Sequence, residues 1–298
     1  MSVSKTTHRK TLRTFCNAAL LSTLLSPLAL LPLTSQASLL YKVEGNKLEQ
    51  PSYVFGTMHV LCQQDFKTGD ALLQAFADSE QVVMELNLSD SSVAQKMNQM
   101  VMNPEGPYLD QYLSPEQLTT LGDFVQAEAG VELAQIAAMR PFVISSMLVT
   151  QQLDCAQTAS YELFLTMQAV SNEKPIIGLE TVEYQFGIFD QIPLSEQTQW
   201  LWEMAEDPEK SKNLLVKLKD TYLAEDAEQL HQLIVDQPEY EEYTDMLLYQ
   251  RNENWIDQLE TEFQSAPTFV AVGAGHLGGE RGVLQLLRDA GYSVTMVE

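Results

Sequence analysis

Two short stretches hold the residues best suited to chemistry. Phe55-Gly56-Thr57-Met58-His59 and Val272-Gly273-Ala274-Gly275-His276 each end an apolar run at a glycine and present a histidine three residues later. Glycine lets the backbone turn sharply and come close to a ligand, and imidazole can bind a metal or move protons near neutral pH. Of the four histidines, His8 lies in a leader-like N-terminus, so two of the remaining three occupy matched positions. Two acids fall at comparable points: Glu85 interrupts the apolar run Val82-Val83-Met84-Glu85-Leu86, and Glu180 follows Ile176-Ile177-Gly178-Leu179. Carboxylates are seldom placed among apolar residues without a partner or a purpose. Two histidines (His59, His276) with Glu85, and with Glu180 as a further acid, describe a hydrolytic divalent-metal site, where the metal acidifies a water and polarises a carbonyl. Arg251, in Tyr249-Gln250-Arg251-Asn252-Glu253-Asn254-Trp255, is either an anion or carbonyl anchor reaching the same cleft or one half of a helix-surface ion pair.

Plainer roles compete for several of these residues. One G-x-x-H alone is a weak signal; the duplication is what gives it weight. Glu180 also suits a helix cap or the surface. His231, in the helical stretch Glu228-Gln229-Leu230-His231-Gln232-Leu233, is expected to be solvated. No H-E-x-x-H, G-x-S-x-G, P-loop, strand-borne G-x-G-x-x-G or Cys-x-x-Cys is present, which removes the usual support for zincin, serine hydrolase, nucleotide, dinucleotide and thioredoxin readings. Gly278-Gly279-Glu280-Arg281-Gly282 lacks the lysine and hydroxyl of a phosphate cradle and reads as pliable backbone beside a cleft.

The elements that must carry these residues follow from periodicity. Leu39 to Val43 and the run ending at Gly56 form a hairpin around a Gly-Asn turn. Leu72, Leu73, Phe76 and Ala77 have helical spacing, and the Gln81–Leu86 strand follows, so strand, helix and strand make a βαβ unit with a parallel sheet. Residues 89–170 and 193–263 read as helical, with Ser114-Pro115-Glu116-Gln117 a helix start built as a capping box. After His276 come a glycine-rich turn, the helix around Val283–Leu287 and a last strand, Tyr292–Val297. Strand, G-x-x-H, helix and strand thus occur twice. The expectation is an α/β fold: a pseudo-repeated, two-halved core with short parallel-rich sheets, G-x-x-H loops at strand ends where ligands bind, and a large helical insertion.

Residues 1–37 read as a secretory signal peptide, with Lys5, Arg9, Lys10 and Arg13 before an apolar run and Ser35-Gln36-Ala37 as the cleavage site. Pro27 and Pro32 interrupt that run, which argues against a retained membrane anchor. Residues 38–298 then form one exported domain, with a periplasmic location expected. The whole chain carries 41 acidic against 17 basic residues, four of the latter in the leader, and this field opposes nucleic acid and anionic lipid as partners. Cys62 and Cys155 remain as an even pair, suited to a disulfide in an exported protein, with two buried free thiols or a metal role for Cys62 as the alternatives.

Taken in order, Phe55-Gly56-Thr57-Met58-His59, the Glu85 strand, Arg140-Pro141-Phe142, Gly178-Leu179-Glu180-Thr181, Arg251-Asn252 with Trp255, and Val272-Gly273-Ala274-Gly275-His276-Leu277 with Gly291-Tyr292 resemble the TraB/GumN family, which includes the animal Tiki proteins. The resemblance implies a two-halved α/β fold in the group containing the erythromycin esterases and the ChaN haem-binding proteins. It also implies a divalent-metal-dependent peptidase, with a cation of the Mn, Co or Zn class held by His59, Glu85 and His276, Glu85 or Glu180 as general base, and a peptide or protein substrate. An arginine role maps onto Arg251. Other members block or sequester peptide pheromones, so two rival readings stand: a periplasmic protein that binds a peptide or small ligand without turnover, and a metal-independent esterase using one histidine as base.

Overall fold

A computed structural model describes residues 38–297. The expected signal peptide lies outside the described residues. Eight strands follow in chain order: β1 (Leu40–Gly45), β2 (Ser52–Thr57), β3 (Leu61–Cys62), β4 (Gln81–Met84), β5 (Thr158–Ala159), β6 (Ile176–Gly178), β7 (Thr268–Gly273) and β8 (Tyr292–Met296). Six of them form one sheet in the order β6-β4-β7-β2-β1-β8, and β3 pairs separately with β5.

The continuous apolar runs take the central places. β2 and β4 are buried along their whole length, as is β7 except for its last residue, Gly273. That is what parallel strands covered on both faces require. β6, β4, β7 and β2 run parallel, while β1 is antiparallel to both β2 and β8. The hairpin turn is tight, with Gly45, Asn46 and Lys47 at positive φ.

The two repeated units interleave within this sheet. β2 and β4, joined through the Asp70–Asp78 helix, do not pair with each other, because β7 lies between them and pairs in parallel with both. β8, reached from β7 through the Val283–Asp289 helix, crosses to β1 at the sheet edge. The consequence for function is direct: the strands that end in the two G-x-x-H loops are neighbours, with Gly56 opposite Val272 and Thr57 opposite Gly273. His59, Glu85, Glu180 and His276 all follow the carboxyl ends of parallel strands, at one edge of the sheet.

The insertion is helical as expected and has a hydrophobic core of its own around Tyr108, Leu121, Ile144, Leu148 and Leu201. The Pro115–Ala129 helix opens with the predicted reciprocal cap between Ser114 and Gln117. Arg140, part of the family-like Arg140-Pro141-Phe142, binds Asp190 and the Met100 carbonyl inside this helical part, so that motif is a strut between helices and not part of the site. Among the described residues no helix is long and apolar enough to cross a membrane.

Candidate functional site

Glu85 is the first residue beyond β4, and its carboxylate is tied down from several sides. Oε1 accepts from the Gly273 backbone N–H at 2.9 Å; Oε2 accepts from Arg251 Nη2 at 2.7 Å and from Gln185 Nε2 at 3.3 Å. Burial alone would raise its pKa, but the pull of His276, Arg251 and His59 together with the Gly273 N–H outweighs it and holds the carboxyl down at about 2, His276 contributing only in the acid range where its ring is protonated.

Glu180 follows β6 and is more deeply enclosed, with a side chain only 3% exposed. It accepts Arg251 Nε at 2.8 Å on one oxygen and Nη2 at 2.7 Å on the other, together with Trp255 Nε1 at 3.0 Å and Gln185 Nε2 at 2.9 Å. The adjacent helix is capped by Thr181, whose hydroxyl accepts from the Tyr184 N–H, so Glu180 is not the cap.

Arg251 is the hub. It stands in the first turn of the Gln250–Ser265 helix, which a π-helical turn, Asp245–Tyr249, feeds directly. Such wide turns are rare and concentrate at functional positions. Besides the two glutamates, Nη1 reaches the Leu247 carbonyl at 3.2 Å and His276 Nε2 at 3.2 Å, so every N–H of the guanidinium has an acceptor. Trp255, one turn on, packs its ring 5.2 Å from the guanidinium carbon.

His276 is buried, and its neighbours settle its tautomer. Asn252 Nδ2 faces the carbonyls of His276 and Arg281, which leaves its Oδ1 as an acceptor 2.6 Å from His276 Nδ1. Nδ1 therefore carries the proton, and Nε2 offers its lone pair to Arg251. Burial, reinforced by the Arg251 charge and opposed by Glu85, lowers the His276 pKa to about 3, so the ring is neutral.

His59 has the opposite surroundings. Its side chain is 72% exposed, and Nδ1 lies 2.8 Å from Glu162 Oε1. Glu162 is itself fixed by the Thr57 hydroxyl at 2.6 Å and the Ser160 hydroxyl at 2.7 Å. The bond to Glu162 is the main force raising the His59 pKa, to about 9. The β3–β5 pair and the Cys62–Cys155 bridge, with Cα atoms 5.7 Å apart, join the segments that carry these two side chains.

The structure thus gathers Glu85, Glu180, Arg251 and His276 into one hydrogen-bonded cluster and sets His59 on the loop after the neighbouring strand β2, within reach of its charges but bonded elsewhere. Glu162, Asn252 and Gln185 belong to the site and were not anticipated. Asn252 had a usable signal, since it heads the buried stripe Asn252-Trp255-Leu259-Phe263, a polar residue at an apolar position. His231, expected on the surface, is 5% exposed: it sits against Gly279, with Nδ1 3.3 Å from the Gly275 carbonyl and Nε2 3.3 Å from the Tyr249 hydroxyl, because the glycine-rich turn folds over its helix. That turn helps line a groove of about 870 Å³, which contains none of the five site residues named from sequence; the chemistry, not the cavity size, locates the site.

Among the described residues, no group of three or more His, Cys, Asp or Glu side chains is gathered as metal ligands. His59 is turned to Glu162, while Glu85 and His276 both face a guanidinium, and the one lone pair of His276 Nε2 is already engaged. The set His59, Glu85 and His276 does not fit a metal ion as it stands.

The chain belongs to the TraB/PrgY/gumN family, whose model matches residues 39–296. No curated protein and no solved structure matches it.

Proposed function

From that membership and the geometry above we propose an exported hydrolase that cleaves an acyl bond, most simply the amide of a peptide, at the carboxyl edge of the central sheet. The observation that supports this reading best is the His59–Glu162 pair: an exposed imidazole oriented through Nδ1 by an enclosed carboxylate, with Nε2 left out of that bond and the ring within the field of Glu85 and Arg251. A raised pKa makes imidazolium the main form at neutral pH, so as a water molecule adds to the carbonyl carbon and the C–N bond breaks, His59 is placed to give a proton from Nε2 to the leaving amine and to be reprotonated by the one the water releases. Glu85, partly accessible, and the Arg251 charge shape the field at the scissile carbonyl. Glu180, with both oxygens spent on Arg251, Trp255 and Gln185, has no capacity left to act as a base. The bridge between Cys62 and Cys155, together with the leader-like N-terminus, supports export to an oxidising compartment.

A divalent cation has no part in this proposal, since the residues expected to hold it are committed to Arg251 and Glu162. One observation favours the second reading, capture of a peptide without turnover: the buried cluster is internally satisfied, and His59 alone stands well exposed.

The test is mass-spectrometric profiling of a peptide library with the secreted protein. His59→Ala is expected to reduce turnover by about 10²–10⁴-fold. Glu162→Gln removes the main cause of the raised His59 pKa, so the high-pH limb of the rate profile moves to lower pH. Cleavage that ignores both substitutions sinks the acid role, and binding without product over the full time course selects the capture reading.

A further inference from the structure

The groups around Arg251 are held in place independently of it. Glu180 is fixed by Trp255 Nε1 and Gln185, and Glu85 by the Gly273 N–H. His276 is oriented by Asn252, and Gln185 Nε2 reaches Oε2 of both glutamates, at 3.3 and 2.9 Å. Those two Oε2 atoms each lie 2.7 Å from the same guanidinium nitrogen, Nη2, and His276 Nε2 lies 3.2 Å from Nη1. Two carboxylate oxygens and one neutral imidazole nitrogen, braced from behind, therefore converge on a single cation. Their charges leave the cluster at net −1 with the guanidinium present and at −2 without it. Two oxygens and a histidine nitrogen are the donor types that Mn²⁺, Co²⁺ or Zn²⁺ take, although with the guanidinium between them the three are not gathered at metal-ligand spacing. A histidine whose Nδ1–H is held by an amide oxygen is already in the tautomer that a metal needs.

We propose that the Arg251 guanidinium is the resident cation of this cluster. The native protein accordingly holds no divalent ion between Glu85, Glu180 and His276, and replacing Arg251 with a neutral side chain converts these three groups into a divalent-cation site. The proposal shares with the hydrolytic reading the absence of a divalent ion, but not the acid role of the His59–Glu162 pair: metal in the wild type overturns this proposal, whereas loss of the acid role is read from the His59 and Glu162 variants and leaves it intact. Arg251 is thus the counter-charge that a metal would otherwise supply, delivered by the sequence and fixed in place by the π-helical turn before it.

The test measures metal directly. Secreted wild type, Arg251→Ala, Arg251→Gln and Arg251→Lys are dialysed against Mn²⁺, Co²⁺ or Zn²⁺, then examined by elemental analysis, calorimetric titration and melting. Wild type and Arg251→Lys are expected to retain no stoichiometric ion and to show no change in melting. The Ala and Gln variants are expected to bind one equivalent roughly a hundredfold more tightly than wild type, and to melt about 5 °C or more higher with the ion than without it. Adding His276→Ala to either neutral variant removes the gain. A wild-type protein that holds one equivalent of metal dependent on His276 overturns the proposal. Neutral variants that bind no better than wild type overturn it as well, and so does the failure of both to fold even with the cation supplied.

Discussion

Gly56→Ala is the substitution that tests the interleaved sheet most sharply. Gly56 lies in β2 directly opposite Val272, and a Cβ built there falls 2.6 Å from Leu277 Cδ1, 3.0 Å from Ala274 Cβ and 3.1 Å from Ala274 Cα. The leucine tip can rotate away, but the Ala274 backbone belongs to the short Ala274–His276 turn and cannot move without moving His276. Overpacking of this kind costs about 1–3 kcal/mol. For a chain of this size, roughly 2–4 °C of melting temperature per kcal/mol gives a fall of about 2–12 °C. The matched control is Gly187→Ala, in the Val182–Phe189 helix, where an added Cβ meets nothing within 4 Å. There the smaller backbone entropy of alanine stabilises by about 0.5–1 kcal/mol. Urea unfolding of both variants supplies the free energies, and the His276 ring proton shifts report whether the turn has moved. Equal stabilities for the two variants, or a destabilised Gly56→Ala whose His276 signals are unchanged, would refute the claim that this glycine exists to let the second histidine loop pack on the first strand.

Two further outcomes follow from the site. Replacing Cys62 and Cys155 with alanine opens a cross-link that spans 93 residues, worth up to about 4–5 kcal/mol by chain entropy; denaturant midpoints should fall accordingly, and the His59 Nδ1–H signal should lose its protection from exchange as Glu162 is released from its partner segment. The pH dependence has a defined sign. His276 and Glu85 both have pKa values lowered on folding, to about 3 and about 2, so their contribution is present above the unfolded values of 6.5 and 4.5 and is lost as pH falls through that window. Stability should decline from near pH 6.5 downward, and His276→Asn should flatten the slope between pH 6.5 and 4.5; a wild-type curve already flat there would count against a neutral His276.

How much was legible in the sequence depended on whether the signal was local. β2, β4, β6 and β7 are short apolar runs, the Ser114 cap is a four-residue pattern, and the hairpin is announced by Gly45-Asn46, so each could be read from a window of a few residues. Strand order could not, because the repeated strand–helix–strand pattern suits two adjacent halves as well as the interleaved arrangement in which β7 enters between β2 and β4. Glu85 and Glu180 stood out because acids are conspicuous among apolar residues. Glu162 did not, since an acid in the first turn of the Tyr161–Ser171 helix is what the helix dipole favours anyway. Its partner is 103 positions away, and the β3–β5 pairing and the Cys62–Cys155 bridge bring them together. His231 was misread for a related reason: its own helix looks amphipathic and polar, and what buries it is the loop after His276.

The duplicated motif does not give a duplicated function. Both histidines follow a parallel strand and a glycine, yet one meets a carboxylate at the surface and the other meets an amide and a guanidinium in the interior. These surroundings drive the two pKa values apart, to about 9 and about 3, so at neutral pH His59 is charged and His276 is not. Titratable groups pushed to opposite sides of neutrality are the mark of divided labour in a site. On this ground the proposed hydrolysis assigns proton exchange with a substrate to the exposed His59. His276 is a neutral acceptor that helps hold Arg251 in register with Glu85.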